Sequence, residues 1–175
     1  MAGVEKSRWL LFIYRIPREP SRHRVAVWRK FKALGALYLQ DGVAVLPEDA
    51  VTREQLEWLQ LRVREASGEA TLWEASPNTL AEGQELAASF RSSREEAYES
   101  MISGAERIRR KADLGGEQEI LLDELRKMER SFRDERQRDY FRSPLRKEAA
   151  AALKAARGTV RGETGGREIR PGEEV

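Results

Sequence analysis

The sequence predicts an α+β fold, a βαββαβ unit followed by a long helical hairpin, and three observations carry that reading. Short apolar runs alternate with helical periodicity from Trp9 to Ala75. Asp41-Gly42 sits between two apolar runs, the strongest short-range signal for a β-hairpin. From Thr79 onward no strand pattern survives. There Met101, Ala105, Ile108 and Ala112 recur at spacings of 4, 3 and 4, as do Leu121, Leu125, Met128 and Phe132.

Taken in order, the largely apolar run from Trp9 to Ile16, ended by Pro17, reads as a central strand covered on both faces. Ser21 follows Pro20 and reads as the N-cap of a helix over residues 21–34. Val27, Phe31 and Leu34 form its inner stripe with Trp28 beside them, and Gly35 is its left-handed stop. "ALYLQDGVAVLP", Ala36 to Pro47, supplies two short strands about Asp41-Gly42. "TREQ", Thr52 to Gln55, reads as a capping box opening a second helix, with Leu56, Leu59 and Val63 inside and Ser67-Gly68 at its end. "EATLWEA", Glu69 to Ala75, is the fourth strand. The order βαββαβ is that of a ferredoxin-like split βαβ domain over residues 1–78.

Residues 79–157 read as the antiparallel helical hairpin plus a short helix. Leu114-Gly115-Gly116 separates the two long helices, which pack along a coiled-coil-like seam. Ser143 and Pro144 open the short alanine-rich helix as N-cap and first residue, and it is expected to end before Gly158. Residues 158–175 offer little to bury and are expected to be a disordered tail. Trp9, Trp28, Trp58 and Trp73 each fall in a strand or helix and are expected in the core rather than as stacking platforms.

With 40% hydrophobic and 35% charged residues, the 175-residue chain has the composition of a soluble protein. "WLLFIY" is too short for a signal or membrane segment, so the cytoplasm is the expected compartment. The absence of cysteine excludes disulfides, thiolate metal sites and cysteine nucleophiles, and a single histidine makes zinc a poor fit. There is no P-loop, nucleophile elbow, HExxH or glycine-rich dinucleotide loop, and no spacing isolates a carboxylate pair. The expectation is a protein without catalysis, cofactor or metal.

Charge is where the sequence speaks. Residues 1–40 hold nine Lys/Arg against two Asp/Glu, and residues 41–90 hold three against ten. Within the first stretch, "RIPREPSRHR" places Arg15, Arg18, Arg22, His23 and Arg24 around the start of a helix, with Arg29 and Lys30 two turns on. Unpaired N–H groups and the macrodipole already make that end positive, so further cations there oppose stability. Two readings stand: a solvated loop whose charges pair with the acidic half, or an anion site formed by N–H groups and guanidinium groups together. A second basic element, Arg126, Arg130 and Arg133 at i, i+4 and i+7, could track phosphates, although Glu129, Asp134 and Glu135 interleave with it as in a salt-bridged face.

The stretch from Trp9 to Pro47 closely resembles the N-terminal domain of the ChrB family of chromate-resistance regulators. The likeness rests on the strand ending Tyr14-Arg15-Ile16-Pro17, the helix start Pro20-Ser21-Arg22-His23-Arg24, Trp28-Arg29-Lys30 and Leu34-Gly35-Ala36. "RDYFRSP", Arg138 to Pro144, and the helical hairpin extend it over residues 8–157. The resemblance implies chromate-responsive transcriptional control of an efflux operon, with DNA as partner and chromate or another oxyanion as candidate effector. Full-length members carry a further domain associated with chromate, for which this sequence has no counterpart residues. More distantly, the pattern resembles the central domain of PaaX-type repressors and small CRISPR-associated nucleases of the same fold. Those nucleases carry a metal-binding aspartate near the end of the first strand, where this chain has Tyr14-Arg15-Ile16, an argument against nuclease activity. The winged helix that precedes the repressor domain has no room in the eight residues before Trp9, so DNA contact is expected on another surface.

The sequence-based expectation is a dimeric, DNA-binding regulator acting through the Arg15–Lys30 surface, aided by the Arg126–Arg138 helix. Open sheet edges and apolar helical seams motivate the homodimer. The alternative is a dimeric interaction or scaffold module without nucleic-acid contact.

Overall fold

The computed structural model describes residues 8–162. The chain divides into two compact units. The first takes in the residues up to Ser93 together with Gln137–Arg142, and the second comprises Arg94–Arg136 and the residues from Ser143 onward. The first unit therefore reaches beyond the 78/79 boundary expected from sequence, because aromatic residues from two later segments complete its core.

That unit contains β1 (Trp9–Arg15), α1 (Ser21–Leu34), β2 (Leu37–Gln40), β3 (Val43–Pro47), α2 (Ala50–Glu65), β4 (Glu69–Ala75) and the start of α3 (Leu80–Asp113). The four strands form one sheet in the order β2-β3-β1-β4, and every neighbouring pair is antiparallel. β1 is internal, as its apolar run requires, with Leu11 opposite both Val45 and Trp73.

Side-chain alternation along β1 assigns its two faces. On one face Phe12 and Tyr14 meet Phe31 of α1 at ring-centroid distances of 5.3 and 5.4 Å. Leu56 and Val63 of α2 are fully buried in the same core. On the opposite face Trp9 stacks on Phe90 of α3 at 5.5 Å and meets Phe141 at 5.7 Å. Trp9 is the tryptophan that lies in the core as expected. Trp28, Trp58 and Trp73 are 50, 61 and 57% exposed, which corrects their assignment to the core.

Periodicity explains the correction. On α2 the buried stripe is Thr52, Leu56, Leu59 and Val63, and Trp58 lies well off it at about 100° per residue. Trp28 flanks the Val27/Phe31 stripe in the same way. Trp73 shares a face of β4 with Thr71, opposite to buried Ala70, and its indole N–H donates to Thr71 Oγ1 at 2.9 Å.

Two helix starts also differ from expectation. Ser21 is the first residue of α1 rather than its cap; Pro20 precedes it and no side chain caps the helix. α2 begins at Ala50, two residues before Thr52, because Asp49 Oδ1 accepts from Thr52 N at 2.7 Å; the cap is Asp49, not the "TREQ" box. A reciprocal capping box does occur at α3, where Thr79 N donates to Glu82 and Glu82 N donates to Thr79 Oγ1. The hairpin turn follows the sequence. Gly42 adopts φ +76°, and a Cβ there would fall 2.6 Å from the Tyr14 carbonyl oxygen.

The second unit contains the rest of α3, α4 (Gln118–Gln137) and α5 (Leu145–Arg161). Lys111 pairs with Glu124 at 3.0 Å near the loop, and Arg94 with Glu135 at 2.6 Å at the far end, so α3 and α4 are antiparallel. The predicted seam is buried or half-buried throughout, with Ala105, Ile108, Leu121 and Leu125 at its centre. α5 is an equal partner rather than an appendage: Leu153, Ala156 and Val160 share that core, and Ala149 joins Tyr98 and Met101. It continues to Arg161, past the expected end before Gly158, because Val160 still has apolar neighbours to cover it. Residues 163–175 of the expected tail lie outside the described residues. α5 begins at Leu145 with Pro144 in the cap position and no capping side chain, one residue later than expected with Ser143 as cap, although Ser143 Oγ accepts from Leu145 N at 3.3 Å.

Candidate nucleic-acid interface

The residues of "RIPREPSRHR" gather at the end of β1 and the start of α1. Arg15 is the last residue of β1 and sits in register with Glu69, yet the two form no ion pair. Arg18 lies in the connection, and Arg22, His23 and Arg24 occupy the first turn of α1. Arg15, Arg18, Arg22, Arg24 and Arg29 are all exposed, and none has a hydrogen-bond or ion-pair partner among the described residues. Internal neutralisation by the acidic half does not occur at these positions. The pairing that the acidic half makes is with its own Arg53, which bridges Glu48 and Glu74.

Helical spacing sorts this charge onto two sides of α1. Arg22 and Arg29, seven residues apart, share one side, and His23 and Lys30 share another that faces α2. Between α1 and α2 runs a groove of about 440 Å³. Val27 and Leu59 are its buried floor, and His23, Lys30, Trp58 and Arg62 stand around it. Lys30 crosses the groove and donates to Gln55 Oε1.

The far end of α1 is built differently. Gly35, at φ +69°, sends its N–H to Lys32 O, and Ala36 N donates to Phe31 O. Arg138 Nη1 donates to Lys32 O at 2.9 Å and the Tyr140 hydroxyl to Leu34 O at 2.7 Å. A cation at a helix C-terminus meets the negative end of the dipole, so Arg138 stabilises α1. It lies beyond the end of α4 and does not extend that helix's basic stripe, contrary to the sequence reading.

On α4 itself, Arg126, Arg130 and Arg133 are exposed as predicted. Arg126 pairs with Asp123 at 2.8 Å. Two of the three interleaved acids look inward: Glu129 is held by Arg157 of α5, and Glu135, only 5% exposed, by Arg94 of α3, whereas Asp134 is exposed.

Sequence reasoning missed Gln55, Trp58 and Arg62. The signal was present, because these three share the flank of α2 about 70 to 130° from the Leu56/Leu59/Val63 stripe. Among the described residues no three histidine or carboxylate side chains cluster as metal ligands, and no helix is long and apolar enough to cross a membrane.

Fold and charge together define a class: a small antiparallel-sheet α+β unit with an uncompensated basic helix start, joined in sequence to a three-helix unit. The family described as Protein ChrB, N-terminal, matches residues 24–164, and the chain belongs to it. Over 80 residues it is 34% identical to Protein ChrB of Cupriavidus metallidurans, a stretch that covers 46% of this chain and 24% of that protein. No solved structure matches the chain.

Proposed function

We propose that the chain is a cytoplasmic, chromate-resistance-associated regulatory protein that contacts DNA phosphates and performs no catalysis. The observation that carries the reading is the first turn of α1, where Arg22 and Arg24 stand exposed and unpaired beside backbone N–H groups that no side chain caps. Phosphate is the ligand that would offset that charge, through N–H groups and guanidinium forks together. Membership of the ChrB family supports the regulatory role and transcriptional control of an efflux operon as its outcome. The strand order β2-β3-β1-β4, with α1 and α2 in the two crossovers, supports the ferredoxin-like reading of the first unit. Chromate is a rival tetrahedral oxyanion for the same donors. Phosphate contact along DNA spreads over several arginines, whereas an oxyanion pocket depends on one or two.

A gel-shift or anisotropy titration against duplex DNA at several salt concentrations tests the proposal, with calorimetry for chromate alongside. Phosphate contact makes the logarithm of affinity fall linearly with the logarithm of salt. Affinity that is absent at low salt, with no chromate binding either, would sink the proposal.

A specific observation favours a second reading, the interaction module. The sheet face opposite α1 and α2 leaves Ile13, Leu39 and Trp73 42, 50 and 57% exposed beside half-buried Leu11 and Val43. A surface of this kind suits a protein partner or a second copy. Light scattering at tens of micromolar, about the range that reveals a moderately tight interface, separates a dimer from a monomer. Association by such a face should be insensitive to salt.

A further inference from the structure

Of the exposed tryptophans, Trp58 has the environment that calls for a ligand. The ring of Trp28 already carries Lys32, whose Nζ lies 5.0 Å from its centroid, and the Trp73 indole is fixed to Thr71. Trp58 has neither an aromatic neighbour nor a hydrogen-bond partner among the described residues, although it is 61% exposed on the wall of the α1–α2 groove. An apolar floor lies below it, Val27 and Leu59, and the surrounding cations are Lys30 and Arg62, with the His23 imidazole beside them, against one carboxylate, Glu65. The polar bridge between Lys30 and Gln55 spans the groove from α1 to α2.

A planar apolar wall beside cations is the combination used to hold unpaired nucleotides, because every base offers a π-face for stacking and carries a phosphate one sugar away. A groove of about 440 Å³ is in the size range of a small-ligand site and admits one such unit. Bases within a duplex are stacked on each other and cannot reach it.

We infer that the α1–α2 groove receives an unpaired base of single-stranded DNA, stacked on Trp58, with its phosphates among His23, Lys30 and Arg62. This deepens and rests on the nucleic-acid reading above: the arginines supply attraction to any phosphate backbone, and Trp58 adds a preference for an open strand. His23 and Lys30 lie at i and i+7 on α1, so hydrogen-bond donors line the groove along two turns rather than at one point.

The test uses the full chain, titrated with a short DNA single strand and with the blunt duplex of the same sequence, followed by anisotropy and by tryptophan fluorescence. Trp58→Ala should weaken single-strand binding about tenfold, the scale of removing one stacked base, and leave duplex affinity within about twofold. Trp58→Phe should bind the single strand nearly as well as the unaltered protein, since a phenyl ring still stacks. Trp73→Ala, on the other face of the sheet, should change neither. The Trp58 side chain is largely exposed, so its truncation leaves the core of α2 intact.

The inference is overturned if Trp58→Ala weakens both forms of DNA equally, or neither. It is also overturned if a free mononucleotide alone quenches Trp58 as tightly as the strand does, which would make the groove a small-ligand site. Duplex binding that falls with Arg22→Ala but ignores Trp58, together with single-strand binding that ignores it too, would remove this inference and leave the reading beneath it standing. Binding to neither form of DNA would remove both.

Discussion

α1 and α4 carry the same number of basic residues and put them to different use. α1 has five Lys/Arg and no Asp/Glu, whereas α4 has five Lys/Arg and six Asp/Glu. On α4 the acids and one arginine serve the fold: Glu129 and Glu135 hold arginines of the neighbouring helices and Arg126 pairs within its own turn, while Arg130 and Arg133 are exposed and unpaired among the described residues. On α1, Arg22, Arg24 and Arg29 hold nothing among the described residues. The number of arginines does not distinguish a site from a scaffold. What distinguishes them is whether acids on the same helix offset the charge, and whether it opposes or follows the dipole of that helix.

The comparison breaks most visibly at Glu135. Its carboxylate is buried and paired with the half-buried Arg94, so Glu135→Ala leaves a cation desolvated without that carboxylate. A loss of about 3 kcal/mol in denaturant unfolding is expected, the scale for removing one side of a buried pair. A loss below about 1 kcal/mol would show that α4's charges are as dispensable as surface pairs.

A smaller loss is expected at the satisfied end of α1. Gly35→Ala forces a left-handed backbone on a side chain and sets its Cβ 2.7 Å from Arg138 Cβ. The expected cost is about 1–2 kcal/mol from the backbone alone, read as a lower melting temperature. The opposite end should respond with the opposite sign. Arg22→Ala and Arg24→Ala remove unpaired cations from the positive end of the dipole, so stability should hold or rise by about 0.3–1 kcal/mol. A clear loss would mean that these arginines have partners in the folded chain after all. Arg126→Ala should be smallest, within about 0.5 kcal/mol, because both it and Asp123 are exposed.

Much of this architecture is legible in the sequence. The apolar run of β1, the Asp41-Gly42 turn and the Gly35 stop each have a local physical cause, and α1 ends, and β4 begins and ends, where the pattern places them. The misreadings share a different origin. Residue type alone assigns Trp28, Trp58 and Trp73 to the core, although the 3.6- and 2-residue periods put them off the buried stripes. The boundary of the first unit is hidden because Phe90, Tyr140 and Phe141 join its core from distant segments. Ser143 and Pro144 announce α5, but its role as a third core helix depends on neighbours that no local pattern reveals. Of the candidate site, the unpaired arginines are legible as a broken charge rule. The groove beside them is not, because it needs α1 and α2 side by side.

The central claim is that the charge of α1 is there for a phosphate backbone, whereas the charge of α4 is offset by the acids interleaved with it on the same helix. The most direct measurement compares two double variants, Arg22→Ala/Arg24→Ala and Arg130→Ala/Arg133→Ala, in duplex DNA binding across a salt series. The account predicts that the α1 pair weakens binding across sequences and lowers the salt slope by about two, roughly one for each phosphate no longer neutralised, while the α4 pair leaves the slope where it was. Equal slopes for both variants and the unaltered protein would contradict it.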